Sequence, residues 1–120
     1  MELIFILTYN CNFRCTYCDI DKREDTMDEA ILEQSLKFLH TLDVPLDKVK
    51  FFGGEPLLQK KQIQKIVTSF PKRHSPNFYV TSNSTLIDQN FIDFSDEYGL
   101  KLTFSIDGDA HTTAENRKVL

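Results

Sequence analysis

Two hydrophobic rhythms alternate along the chain. Leu3-Ile4-Phe5-Ile6-Leu7 is a short continuous apolar run, and Leu3–Thr8 reads as a buried strand. Past a charged connection, Asp19–Asp25, apolar residues recur at helical spacing in Ile31, Leu32, Leu36, Leu39 and Leu42, with Glu29, Glu33 and Lys37 turned to water. Thr26 or Asp28 can cap that helix. Val44-Pro45 ends it, because proline disfavours helix in the residue before it. Lys48–Phe52 reads as a second strand stopped by Gly53-Gly54. A helix from about Leu57 to Phe70 follows, with Leu58, Ile63, Ile66, Val67 and Phe70 as its apolar face. Pro71 and Pro76 punctuate the next loop. Phe78–Thr81 reads as a third strand, Gln89–Tyr98 as a third helix with Gly99 at its C-cap, and Leu100–Ile106 as a fourth strand. Glu115–Leu120 is expected to open a fourth helix.

Strand and helix alternating at this pitch predict βαβ units, and so an α/β fold with a parallel sheet and right-handed crossovers. Leu3–Leu7 and Val49–Phe52 are expected to be apolar on both faces, as strands covered by helices on each side require. The short polar motifs all fall at one place in their units. Cys11–Cys18 follows the first strand, Gly53–Pro56 the second and Thr81-Ser82-Asn83 the third, while Ser105-Ile106-Asp107-Gly108 ends the fourth. These share one edge of the sheet, the carboxyl ends of its strands, where barrels and open α/β sheets build their sites.

Composition narrows the setting. Apolar residues make up 41% and charged residues 27%, both ordinary for a globular chain. A net charge of −4 and a pI near 5.3 give no electrostatic footprint for nucleic acid. Lys60, Lys61, Lys65, Lys72 and Arg73 form a mild basic patch that reads as a solvated face. No apolar stretch approaches the roughly 20 residues of a membrane span, and Met1-Glu2 runs into a strand without a signal peptide. Cysteines without an export signal argue for a reducing, cytoplasmic interior. The length suits one domain, 1–120.

All three cysteines lie in Cys11-Asn12-Phe13-Arg14-Cys15-Thr16-Tyr17-Cys18, with the spacing C-x3-C-x2-C. Three soft thiolates are one fewer than a closed four-ligand site needs, so a metal or cluster held there keeps an open position, as catalytic centres do. A disulfide would leave one cysteine over and close only a tiny loop. A structural zinc site would need His40, His74 or His111 as fourth ligand, and none lies near the cysteines in sequence. A cluster-ligand loop is favoured.

Together with Gly53-Gly54-Glu55-Pro56, the cysteine loop resembles the radical S-adenosylmethionine superfamily. The resemblance runs from Leu3 to about Arg117 and is closest to the branch of anaerobic sulfatase-maturating enzymes and SPASM-domain peptide maturases. It implies about four βα units of a partial TIM-like barrel. It implies a [4Fe–4S] cluster on Cys11, Cys15 and Cys18, with Tyr17 against the cofactor. Gly53, Gly54 and Glu55 match the motif that binds the amino group of S-adenosylmethionine. Glycine permits close backbone approach and Glu55 can pair with an ammonium. Gly54→Val is accordingly expected to block S-adenosylmethionine while the cluster remains.

Ser105 and Asp107 match polar groups that reach the cofactor's ribose or carboxylate, and Arg117 an arginine that binds the same carboxylate. Thr81-Ser82-Asn83-Ser84-Thr85-Leu86 departs from the usual T-N-G-T-L pattern, although Asn83 keeps an amide near the site. His111 resembles a histidine frequent in the family and reads as structural.

The implied chemistry is reductive cleavage of S-adenosylmethionine to a 5′-deoxyadenosyl radical that abstracts hydrogen from a peptide or protein substrate. An electron donor such as flavodoxin or ferredoxin would drive it. No general base can be named. Barrels of the family carry more strands than the four counted here, so a piece of a longer enzyme is expected. A non-catalytic iron–sulfur or metal-binding module is the alternative, with a structural zinc domain beside it.

Overall fold

The computed structural model describes residues 1–119. Strand β1 (Glu2–Thr8) leads through β2 (Phe13–Cys15) to helix α1 (Glu29–Thr41). Next come β3 (Lys48–Gly53), a 3₁₀ turn (Pro56–Gln59), α2 (Lys60–Ser69), β4 (Asn77–Ser82), α3 (Gln89–Tyr98) and β5 (Lys101–Phe104). Helix α4 (Ala110–Asn116) and β6 (Arg117–Val119) complete the described chain. Strands β1, β3, β4 and β5 form a sheet in that order, the parallel sheet that the alternating rhythms predict and the partial barrel that the resemblance implies.

The caps explain why the helices begin where they do. Asp28 and Asp88 stand at the N-caps of α1 and α3, each accepting from a backbone amide three residues on, Ile31 and Phe91, at 2.8 Å. Gly99 ends α3 in the left-handed region at φ 69°. The helix expected from about Leu57 starts later. The Glu55 carboxylate accepts from the Leu57 amide and tightens the first turn to 3₁₀.

One face of the sheet is packed. Phe5, Phe51 and Phe78 stack across three strands with centroids 6.0 and 6.2 Å apart. Leu32, Leu36 and Leu39 of α1, Ile63 and Ile66 of α2 and Phe91 of α3 cover them. The other face corrects the expectation of strands apolar and covered on both sides. β3 alternates exposed and buried residues along its length, and Ile4, Ile6 and Phe52 are exposed beside Lys48 and Lys50. Helices lie on one side only among the described residues.

The chain's end also differs from expectation. The fourth helix occupies Ala110–Asn116, capped by Asp109, and gives way at Arg117 to a strand. That strand pairs antiparallel with β2 in the register Phe13↔Val119, Arg14↔Lys118 and Cys15↔Arg117. A helix through Arg117–Val119 would forfeit this ladder; Leu120 lies outside the described residues.

Candidate active site

The cysteine loop is held by backbone from three directions. The Gly54 amide donates to the Thr8 carbonyl at 2.9 Å, and the Glu55 amide donates to the Asn10 carbonyl at 2.9 Å. The Thr16 amide donates to the Asn116 carbonyl at 2.8 Å, where β2 meets β6. The two glycines make the first of these approaches possible. A Cβ on Gly53 would stand 2.2 Å from the Thr8 carbonyl oxygen, and one on Gly54 would stand 2.1 Å from that of Asn10. Gly53 also holds φ 147°, a conformation other residues rarely adopt. Both glycines therefore answer to the backbone that carries Cys11.

Cys11, Cys15 and Cys18 line one cavity of about 250 Å³ with Tyr17, Gly53, Gly54, Glu55, Asn83, Ser105 and Arg117. Every predicted site residue except Asp107 lies on its wall. Asp107 stands behind it. The Tyr17 hydroxyl donates to both of its carboxylate oxygens at 3.2 and 3.0 Å, and Arg117 Nη2 donates to Oδ1 at 3.2 Å. Arg117 Nε lies 3.0 Å from Oδ2 at an angle too poor for a hydrogen bond, so the pair is ionic there and Nε keeps no acceptor. The guanidinium carbon sits 5.3 Å from the centre of the Tyr17 ring. Asp107 is thus engaged by Tyr17 and Arg117, which leaves Ser105 as the member of its motif on the wall.

Glu55 is 2% exposed, and its oxygens accept three hydrogen bonds. Oε1 takes the Ser82 hydroxyl at 2.7 Å and the Leu57 amide at 3.2 Å, while Oε2 takes the Asn83 amide at 2.9 Å. A carboxylate has about four lone-pair directions, so one on Oε2 faces no donor among the described residues. Asn83 Nδ2 donates to Asn12 Oδ1 at 2.8 Å and lies 4.0 Å from the Cys11 sulfur. Ser84, at the position where the expected pattern has glycine, adopts φ 69°. The departure in sequence thus keeps the left-handed turn at the cost of strain.

Burial pushes the Cys11 thiol up, partly offset by the hydrogen bond its sulfur accepts from the Phe13 amide at 3.3 Å. Cys18 moves the other way. Burial would raise it, but the Lys22 ammonium, 2.6 Å from its sulfur, and the Ile20 amide outweigh that and lower it. The Tyr17 phenol is pushed up to about 12, by desolvation and by the bond its hydroxyl donates to Asp107. With Tyr17 53% exposed, the Asp107 bond is the stronger physical cause.

Lys22, Asn12 and Ser82 were invisible as site residues in the sequence. Lys22 sits at i+4 from Cys18 with no motif to mark it; Ser82 and Asn12 matter only through Glu55 and Asn83.

The donor set fits an iron–sulfur cluster better than a single ion. Among the described residues no three His, Cys, Asp or Glu side chains gather tightly enough for one metal ion, and neither His40, His74 nor His111 lines the cysteine cavity.

A parallel half-barrel with three cysteines, a glycine pair and a buried glutamate at one rim defines the kind of α/β core that binds a cofactor. A family model described as the radical SAM superfamily matches residues 5–118, and the chain belongs to that superfamily of S-adenosylmethionine- and iron–sulfur-dependent enzymes. A probable GTP 3′,8-cyclase of Methanocella arvoryzae is 34% identical over 82 residues, which cover 68% of this chain and 26% of the relative. The solved structure of native anSMEcpe with bound AdoMet superposes with a TM-score of 0.81 at 26% identity, covering 98% of this chain and 36% of that one. The same protein with bound AdoMet and the Cp18Cys peptide gives 0.77 at 26% identity, covering 98% and 34%. The chain therefore spans about a third or less of these proteins' lengths. Among the described residues no helix is long and apolar enough to cross a membrane.

Proposed function

We propose that the chain is the core domain of a cytoplasmic radical S-adenosylmethionine enzyme that modifies a peptide or protein. In this reading Cys11, Cys15 and Cys18 hold a [4Fe–4S] cluster. The observation that carries it is the gathering of those three cysteines and the buried Glu55 around one cavity. When bound, the cluster and S-adenosylmethionine, with a flavodoxin- or ferredoxin-type donor, supply the means to take a hydrogen atom from an unactivated C–H bond.

The chain's own residues bind and orient. Glu55 offers its remaining lone pair to the ligand's ammonium, with its position fixed by Ser82, Leu57 and Asn83. Gly53 and Gly54 let the strand end pass close to the cysteine loop, and Asn83 and Ser105 add polar groups to the wall. Arg117 faces the cavity with its charge shared with Asp107, poised for the ligand's carboxylate. Likeness to a peptide-bound sulfatase-maturase structure supports the peptide substrate. The cyclase relatives support a nucleotide as the second reading.

The test is anaerobic reconstitution. The expected result is about four irons and four sulfides per chain and formation of 5′-deoxyadenosine from S-adenosylmethionine. A cluster without 5′-deoxyadenosine would support the non-catalytic module. Stoichiometric zinc without iron would support the structural site. Deuterium transfer into 5′-deoxyadenosine from a labelled nucleotide, and from no labelled peptide, would move the substrate to the second reading.

A further inference from the structure

The bare face of the sheet carries positive charge directly beneath the cofactor cavity. Strand register arranges that face in rows. Ile6 pairs with Phe52, and Thr81 with Thr103; Phe52 and Thr81 line the cavity. The next row down is Ile4, Lys50, Tyr79 and Lys101, each paired with the one before it. Val49, Phe51, Phe78 and Val80 are buried on the helix side, so Lys50 and Tyr79 stand on the other. Two residues of strand separate the rows, about 6.6 Å at ~3.3 Å per residue.

Lysine is depleted from strands, yet Lys48 and Lys50 stand on the central strand β3 and Lys101 on β5. Against these three lysines the face sets Glu2, whose carboxylate pairs with Lys50 at 3.2 Å. The Lys101 ammonium lies 5.2 Å from the centre of the Tyr79 ring, and neither it nor Lys48 has an ion-pair partner among the described residues. Three lysines less one glutamate leave two positive charges here, in a chain whose net charge is −4. That local inversion of sign gives the face a preference for a negatively charged ligand. In the row below the cavity Lys101 has no acidic partner among the described residues and Lys50 shares its charge with the part-exposed Glu2, so the row suits one further carboxylate, and Glu2 would repel a polyphosphate. The apolar Ile4, Ile6 and Phe52 beside them suit the stem of an amino-acid side chain.

The geometry points to Lys50 and Lys101 as a substrate-binding floor that holds an aspartate or glutamate side chain of the peptide, one row below the cavity. This inference rests on the peptide reading and names the peptide's character. Charge-assisted bonds from the lysines would fix the peptide's depth and so select which carbon faces the cofactor.

The experiment uses the anaerobically reconstituted chain and a fluorescein-labelled peptide of glutamate and serine, with its glutamine counterpart as control. The glutamate peptide is expected to bind roughly five- to tenfold more tightly, and a joint Lys50→Met and Lys101→Met substitution to erase the preference. Circular dichroism checks that the variant is folded. Lys101→Glu supplies an independent arm, since charge reversal is expected to favour a lysine-containing peptide. Equal binding of the two peptides, or a preference that survives the joint substitution, would overturn the inference. So would a nucleoside triphosphate that competes with the peptide and loses its hold in the variant. Cofactor cleavage by the unsubstituted chain without peptide separates the two readings. Its absence sinks the radical-enzyme proposal, while its presence without a glutamate preference sinks only the floor.

Discussion

At the scale of single residues, Glu55 and Asp107 organise the site from opposite sides, and each makes a measurable difference. Glu55 is buried and accepts from Leu57, Ser82 and Asn83. Alanine there would leave two backbone amides without acceptors, each costing about 1–3 kcal/mol. The Ser82 hydroxyl also accepts from the Ser84 amide at 2.9 Å and can turn, so it adds less. Glu55→Ala is expected to lower the thermal midpoint by roughly 10–20 °C, measured by circular dichroism. Glu55→Gln keeps one acceptor oxygen and should fall between the two. A midpoint within a degree or two of the parent would show that those bonds do not hold the loop. Asp107 is tested through Tyr17, whose phenol desolvation and the bond to Asp107 together push up to about 12. A raised phenol favours folding while it is protonated. That contribution is whole below the unfolded value of about 10 and is lost as pH climbs through the folded one. Asp107→Asn is expected to lower the Tyr17 value, read by ultraviolet titration with Tyr17→Phe assigning the signal among the four tyrosines.

Elements carry the connection between cysteine loop and sheet, and here the structure alters an expectation drawn from the motif. Gly54→Val was expected to exclude S-adenosylmethionine while sparing the cluster. The added Cβ would instead stand 2.1 Å from the carbonyl of Asn10, the residue before Cys11. Gly54→Ala should therefore cost on the order of 1–3 kcal/mol and lower iron content together with S-adenosylmethionine affinity. Gly99→Ala is the control. Its φ of 69° carries strain, yet nothing lies within 4 Å of the new Cβ, so stability should fall with cluster loading unchanged. Iron analysis that finds Gly54→Ala fully loaded would break the link. The same elements show what sequence alone could deliver. Strand β3 and helices α1 and α3 were legible because each joins an apolar pattern to a cap or a glycine stop, and β1 and β4 were legible from their apolar runs alone. The β2–β6 ladder was not, since each strand is three residues long and one shares its length with Cys15. Helix α4 was misplaced because Ala110–Asn116 has no apolar stripe, and its Asp109 cap became evident only in three dimensions. The cysteines and glycines announced the site by spacing. Lys22 and Ser82 could not, because their roles depend on distances across the fold.

For the whole molecule the decisive fact is that, among the described residues, one face of the sheet has no helix on it. The Cα radius of gyration is 15.2 Å, against about 13–14 Å for a compact chain of this length. β1 and β5 are the outer strands of the sheet, and Ile4, Ile6, Phe52 and Phe104 are exposed on or beside them. Strand edges invite pairing, and apolar patches invite cover. The charged row of Lys50 and Lys101 lies within that same face and resists a symmetrical face-to-face contact by like-charge repulsion. The edges are then the easier route. Met27 and Asp25 already pair with Leu7 and Tyr9, so the 120-residue chain is expected to self-associate with rising concentration through β5 and residues 2–6 of β1, as followed by light scattering. Ile6→Lys places a charge on the edge strand while leaving the buried Phe5 and Leu7 untouched, and should shift the population toward monomer. Added salt discriminates between the two geometries. Face-to-face association would strengthen as screening weakens lysine repulsion, whereas edge pairing by backbone hydrogen bonds would change little. A chain that stays monomeric at high concentration, with Ile6→Lys indistinguishable from the parent, would show that the exposed stretch of β1, residues 2–6, is no liability in solution.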